Sequence, residues 1–326
     1  MADPNRVHKR KRILQDSPVD LTKMRMAMNR LGALEEELEG IEETEEELKA
    51  LMLHVDAPEA ILGTAKKPKL SFSSASDKDI DKIGVIQKRL VFSQQGIDQL
   101  VAAMSEHAIQ ESKILHERIK EVYEFVNMDF EPGSRMLLDA VLLRLGKITG
   151  KTEQKGRVAV MPEMRLGAAD GVQITNPLTQ YEVWLTGSVD YAILKYVDEY
   201  DNKARLFGLH TNRKFVLEIA KGRLFLVEAK SLEASLDDYL PEAITQAIAL
   251  SKLSGQNRVH FCLSNGQSWI FCLLDKDANS DKWTSYESVS RTISQDSTEL
   301  AIREIFQLML EWLEPTGSPA LYTLLN

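Results

Sequence analysis

Two short apolar runs and the helices near them carry the residues that could do chemistry. In Leu224-Phe225-Leu226-Val227-Glu228-Ala229-Lys230-Ser231, a run of strand formers ends in an acid, a small residue and a base. Strand side chains alternate faces with period two, so Glu228 and Lys230 point to the same side, one pleat apart. Charges at the end of a buried strand are expensive unless they are paired or hold a metal. Asp190 interrupts a second apolar run, Gly187-Ser188-Val189-Asp190-Tyr191-Ala192-Ile193-Leu194. Gln246 interrupts an apolar helical stretch, and Glu131 stands just before another. Two carboxylates and a lysine suit a hard divalent ion such as magnesium, which takes oxygen ligands, water and substrate phosphate. Such an ion lowers the pKa of its bound water and stabilises charge building on phosphorus. A lysine beside it orients that water or neutralises the phosphate. A lone Glu-x-Lys is a weak signal, and a surface ion pair is its plain alternative. Its place at the end of an apolar strand, with a second acid inside another strand, strengthens it.

The elements that must position these residues follow the chain. Beyond Phe130-Glu131-Pro132-Gly133-Ser134, a helix is expected over 135–145, with Ser134 as its cap. Strands are expected at 157–161, 181–185, 188–196, 215–219 and 224–229. A helix at 240–254 follows. Strands at 258–263 and 269–274 are joined by Ser264-Asn265-Gly266, a hairpin-type turn. A last helix covers 298–313. This order predicts an α/β sheet core with helices on both faces.

Asp190 followed by Glu228-Ala229-Lys230 resembles the PD-(D/E)XK nuclease superfamily, which carries an acid and then acid-any-lysine on the next core strand. Glu131-Pro132-Gly133-Ser134-Arg135 is similar to the Glu-x-x-x-Arg of fungal-type members, and Gln246 resembles their glutamine on the following helix. The resemblance covers about residues 128 to 275. It implies a restriction-endonuclease-like αβββαβ core with a mixed central sheet and a metal-dependent endonuclease-like phosphodiesterase acting on DNA, with Mg2+ or Mn2+ as cofactor. Asp190 and Glu228, completed by Glu131, would hold the metal. Lys230 would orient or activate the attacking water, and Gln246 would position water or substrate. Arg135 would support Glu131 or touch phosphate. Glu163 and Glu182 are substitutes for the first acid. The chain departs from the pattern at Val189, where proline is common, and in the 38 positions between Asp190 and Glu228. Residues 197–223 would form an insertion, an extra strand pair around Phe207 and Phe215. Its Lys203, Arg205, His210, Arg213, Lys214, Lys221 and Arg223 would make a DNA-contacting basic flap or a solvated hairpin. The alternative function is a catalytically inactive nuclease-fold protein that binds nucleic acid or acts as a scaffold through its coiled coil.

The rest of the chain sets the context. The 326 residues carry a net charge of -9, unevenly spread, because residues 35–47 hold nine glutamates and no base. Residues 1–22 read as a disordered leader in which His8-Lys9-Arg10-Lys11-Arg12 could serve nuclear import or touch phosphate. A helical region is expected over 23–128, with a linker near 63–78, ahead of the nuclease-like domain at 129–326. Within it, Met24, Ala27, Leu31, Leu34, Leu38, Ile41, Leu48, Met52 and Val55 keep a 3-4 spacing. That spacing marks a coiled coil over 24–55, for self-association or a partner helix. Gly32 and Gly40 each weaken it by about 1 kcal/mol. A second long helix is expected from Asp79, with Ile80, Ile83, Ile86 and Leu90 on one face, resuming after Gly96. His107 and His116 read as surface or seam residues. Cys262 and Cys272 read as buried small hydrophobes in a reducing compartment. No secretory signal or membrane span is expected. Trp269 and Trp312 are expected in the core, and Trp283 and Tyr286 in a polar loop as stacking candidates.

Overall fold

The computed structural model describes residues 68–149, 156–167, 171–208, 211, 213–220, 224–278, 280–293, 296–297, 299–313 and 321–325. The expected basic leader, the coiled coil at 24–55 and the acidic run at 35–47 lie outside the described residues, as do His210, Lys221 and Arg223. Contacts divide the chain after Lys66, and all described residues fall in the unit Lys67–Asn326.

The unit opens with β1 (Lys69–Ser71), a 3-10 turn, α1 (Asp77–Ile83), β2 (Val85–Phe92), α2 (Gln94–Ala102), α3 (Glu106–Phe125) and α4 (Glu131–Thr149). Then come β3 (Arg157–Arg165), β4 (Val172–Thr175), β5 (Glu182–Thr186), β6 (Ser188–Tyr196), α5 (Asn202–Phe207), α6 (Arg213–Ala220) and β7 (Leu224–Ala229). The last part holds α7 (Leu240–Ser254), β8 (Arg258–Ser264), β9 (Ser268–Lys276), β10 (Trp283–Glu287), β11 (Arg291–Thr292), α8 (Glu299–Leu313) and β12 (Tyr322–Leu324). The main sheet is mixed and runs β12-β2-β10-β9-β8-β7-β6-β3, with β11 beside β9. A small sheet, β1-β5-β4, stands apart from that path. β7 and β8 pair in parallel, with α7 as the crossover between them. β6 is antiparallel to both of its neighbours, β3 and β7.

Helices cover both faces of the sheet, as the element order predicted. Leu224 and Leu226 of β7 pack in one core cluster with Ala243, Ile244, Ala247 and Ile248 of α7. Phe225 and Val227 pack in another, with Leu138, Val141 and Leu142 of α4 and Ile305 and Phe306 of α8. β7 is buried at every position, which is why its sequence is a continuous apolar run rather than an alternating one. Each fully buried Leu or Phe contributes roughly 1.5–3 kcal/mol.

Several expectations are corrected. Residues 68–78 are not a linker: β1 pairs with β5, and Phe72 is buried. The helix from Asp79 ends at Ile83, where Gly84 takes a left-handed φ of 87°. Ile86 and Leu90 belong instead to β2, which pairs with both β10 and β12. The expected domain start at 129 therefore moves forward, because β2 is part of the main sheet. The second helical stretch breaks at Ser105, whose side chain caps α3. Ser134 lies inside α4, not at its cap. The 197–223 insertion holds two helices, α5 and α6, and no strand pair among its described residues. Residues 215–219 are helical because Val216, Ile219 and Ala220 bury one helical face. Trp283 and Tyr286 sit in β10, and Trp283 is buried core rather than a stacking platform. Trp269 and Trp312 are core, and Cys262 and Cys272 are buried free thiols, as expected. No helix among the described residues is long and apolar enough to cross a membrane.

Candidate active site

The site forms where β3, β6 and β7 meet, and sheet register builds it. β6 and β7 pair as far as Tyr191 with Val227, which brings Asp190 and Glu228 to the end of that ladder. β3 and β6 pair Pro162 with Tyr191 and Met164 with Val189, so the intervening rung sets Glu163 opposite Asp190. The insertion between β6 and β7 does not separate the two strands. Residues directly opposite on an antiparallel pair have Cβ atoms about 5 Å apart.

The Glu163–Asp190 rung is not ordinary ladder. Glu163 has a left-handed φ of 51°. Val189 and Ala192 lie in the same core cluster, although strict alternation would put them on opposite faces. The strand therefore turns over at Asp190. The Asp190 carboxylate takes up the freed backbone: its Oδ2 accepts from Ala229 N–H at 2.8 Å. Strained backbone of this kind concentrates at functional sites.

Glu228 and Lys230 leave the end of β7 together, as their spacing predicted. Glu228 Oε1 accepts from Lys230 Nζ at 2.6 Å, and Oε2 accepts from Gln246 Nε2 at 2.7 Å. Lys230 Nζ also donates to Glu242 Oε2 at 2.6 Å and stands over the Tyr239 ring. Glu242 and Gln246 are one turn apart on α7, so one helix face holds both charges of the Glu-x-Lys. Sequence reasoning missed Glu242. Its signal was its place four residues before Gln246, on a helix otherwise buried there.

Arg135 closes the other side. From α4 its guanidinium donates to Glu131 Oε1 at 3.0 Å, Glu163 Oε1 at 2.9 Å and Asp190 Oδ1 at 2.5 Å. Glu131 thus reaches the site through Arg135. The same guanidinium holds Glu131 and its named substitute Glu163, while Glu182 lies in β5 of the small sheet. Tyr191 anchors β6 to the same helix by donating to Asp139 at 2.8 Å. Arg213 and Lys214 lie in the first turn of α6, where Arg213 donates to the Leu166 carbonyl.

The electrostatics follow from burial. Glu228 is pushed up to about 8, first by desolvation and then by the charge of Asp190, with Lys230 opposing both. Burial acts to lower Lys230, but Glu228 and Glu242 hold its ammonium above its ordinary value. Arg135 is held firmly charged by its carboxylates, against its own desolvation. Among the described residues, no group of three or more His, Cys, Asp or Glu side chains is arranged to hold a metal ion. Asp190 and Glu228 stand near enough for the charge of one to raise the other. Burial and mutual repulsion disfavour charge on Glu228, and a cation between the two acids would relieve both.

The chain matches no family model and no curated protein.

Proposed function

We propose that this chain is a metal-dependent phosphodiesterase that hydrolyses DNA, built on a restriction-endonuclease-like core. The observation that carries the reading is the convergence of Asp190, Glu228 and Lys230 on adjoining strand ends. Glu228 is held there by both Lys230 and Gln246. The order α4, β3, β6, β7, α7, β8 supports it, because it follows the αβββαβ sequence once the small β4–β5 excursion and the α5–α6 insertion are set aside.

In this reading Asp190 and Glu228 would hold Mg2+ or Mn2+, with Glu131 reaching the site through Arg135. The ion, when bound, activates water and stabilises charge at phosphorus. The chain's own groups do the rest. Lys230 keeps its proton and presents an ammonium to the phosphate oxygens or to the attacking water. Gln246 fixes the Glu228 carboxylate in one orientation, and Glu242 fixes Lys230. Arg135 neutralises Asp190 and ties it to Glu131 and Glu163.

The test is cleavage of supercoiled plasmid and of branched DNA with Mg2+ or Mn2+, against the same reactions in EDTA. Asp190→Asn and Glu228→Gln keep the side-chain shapes and should abolish cleavage. Failure of the wild type on a broad substrate set, or cleavage by either variant equal to that of the wild type, would sink the reading.

One observation favours a second reading, a nuclease fold that binds nucleic acid without cutting it. Arg135 and Lys230 already neutralise Asp190 and Glu228. Calorimetric titration decides between them, because the second reading requires that Mg2+ and Mn2+ produce no binding heat that Asp190→Asn removes.

A further inference from the structure

An open cavity of about 530 Å3 lies beside the site, between the end of β3 and the start of α6. Its size falls in the range of small-molecule pockets, roughly 300–1,000 Å3. Glu163 belongs to both places: it lines the cavity and holds Arg135, which holds Asp190. The cavity therefore opens beside a residue that shares Arg135 with Asp190.

Its lining divides by chemistry. Met161, Pro162, Met164 and Val216 give apolar walls. Arg165 and Lys214 are exposed cations in the lining, and Arg213 is a third, half-buried. Arg165 uses Nε on the Gly167 carbonyl, and Arg213 uses Nη1 on the Leu166 carbonyl. These bonds fix both guanidiniums to the backbone of one turn and leave their other N–H groups for a ligand. Thioethers in an apolar lining suit an aromatic base, since sulfur contacts with rings are favourable. Cations on the rim suit its phosphates.

We propose that this groove takes one unpaired nucleotide next to the scissile phosphate, so that the preferred substrate is DNA with a single-stranded segment. The base lies against the apolar lining, and Lys214 and Arg165 hold the flanking phosphates. A paired base cannot enter without leaving its stack, which sets single strands apart from duplex. The inference rests on the phosphodiesterase reading for its substrate but not for its binding.

Fluorescence anisotropy in EDTA tests binding without cleavage, using the full chain and three labelled probes: a single-stranded oligonucleotide, a blunt duplex of equal length and an acidic peptide. The single strand should bind about five-fold or more tightly than the duplex. Thr211→Trp, which adds a bulky ring to the lining, should bring that ratio close to one. Lys214→Glu changes an exposed residue, so it tests the rim even where Thr211→Trp fails to fold. It should weaken single-strand binding about ten-fold. Equal or tighter duplex binding, a ratio kept in Thr211→Trp, single-strand binding unchanged in Lys214→Glu, or binding of the peptide alone would overturn the proposal. Single-strand preference without metal-dependent cleavage would sink only the phosphodiesterase reading. Cleavage without strand preference would sink only the groove.

Discussion

At the scale of the residue, the site is a set of buried charges held in balance. Glu228 is almost fully buried and accepts from Lys230 and Gln246, yet Asp190 and desolvation still push its carboxyl up to about 8. A buried acid in that state weakens the fold it belongs to, even with the Lys230 ammonium beside it. Glu228→Gln mimics the uncharged carboxyl and keeps the shape. In EDTA at neutral pH it should leave stability unchanged or raise it by about 1 kcal/mol, while cleavage is lost. Urea unfolding checks the first part, and a variant less stable than wild type would contradict it. Lys230→Met should act in the opposite direction. It leaves Glu242, also buried, facing Glu228 without its cation, and should cost about 3 kcal/mol by the same measurement. The contrast separates a residue retained for chemistry from one needed in both roles. Asp190, Glu228, Lys230 and Gln246 were legible in the sequence because each interrupts an apolar element. Glu163 was harder to rank, because its left-handed backbone and its bond to Arg135 arise only when β3 lies against β6.

At the scale of the element, the strand that carries Asp190 depends on how it enters the sheet. Gly187 links β5 to β6 with a φ of 138°, and a Cβ there would meet the Phe72 ring at 2.6 Å. Gly187→Ala should therefore lose about 2 kcal/mol or more, read by urea unfolding, and should lower any metal affinity because Asp190 lies three residues on. A midpoint equal to that of the wild type would show that the entry is not tight. β8, the parallel neighbour of β7, carries a titrating group of its own. His260 packs edge-on to Trp312, and burial, then the charge of Arg258, lowers it to about 4, with Asp275 opposing. A histidine depressed in the folded state contributes stability that is fully present above its unfolded value and lost as pH falls towards 4. Between pH 7 and pH 5 the wild type should lose about 2 kcal/mol more than His260→Phe, and parallel urea curves for the two proteins would contradict this. β6, β7, α7 and the β8–β9 turn were readable because apolar runs and Asn265-Gly266 punctuate them strongly. β2 was misread because Ile80, Ile83, Ile86 and Leu90 keep helical spacing across Gly84. β10 was misread because its short polar stretch becomes a strand only through its pairing with β9 and β2.

At the scale of the whole molecule, the question is where the folded unit begins. The sequence suggested a helical appendage followed by a domain from 129, since residues 79–126 run on helical spacing almost throughout. The sheet argues otherwise. β2 sits between β10 and β12, and β1 completes the small sheet through β5. Leu90, Ile97, Leu115, Ile119 and Val122 are all but fully buried in the same core cluster as β7's Phe225 and Val227. At roughly 1.5–3 kcal/mol for each buried side chain, these five contribute about 8 kcal/mol or more. That is comparable to the entire net stability of a domain, roughly 5–15 kcal/mol. A chain starting at Lys67 should therefore unfold in one cooperative transition in urea, and a chain starting at residue 129 should show none, with circular dichroism as the readout. A cooperative transition in the shorter chain would mean that β2 and its helices are dispensable to the sheet that carries Asp190 and Glu228. The proposed site would then rest on the segment from α4 onward alone, and the part of the chain that shows the family resemblance would also be the part that folds.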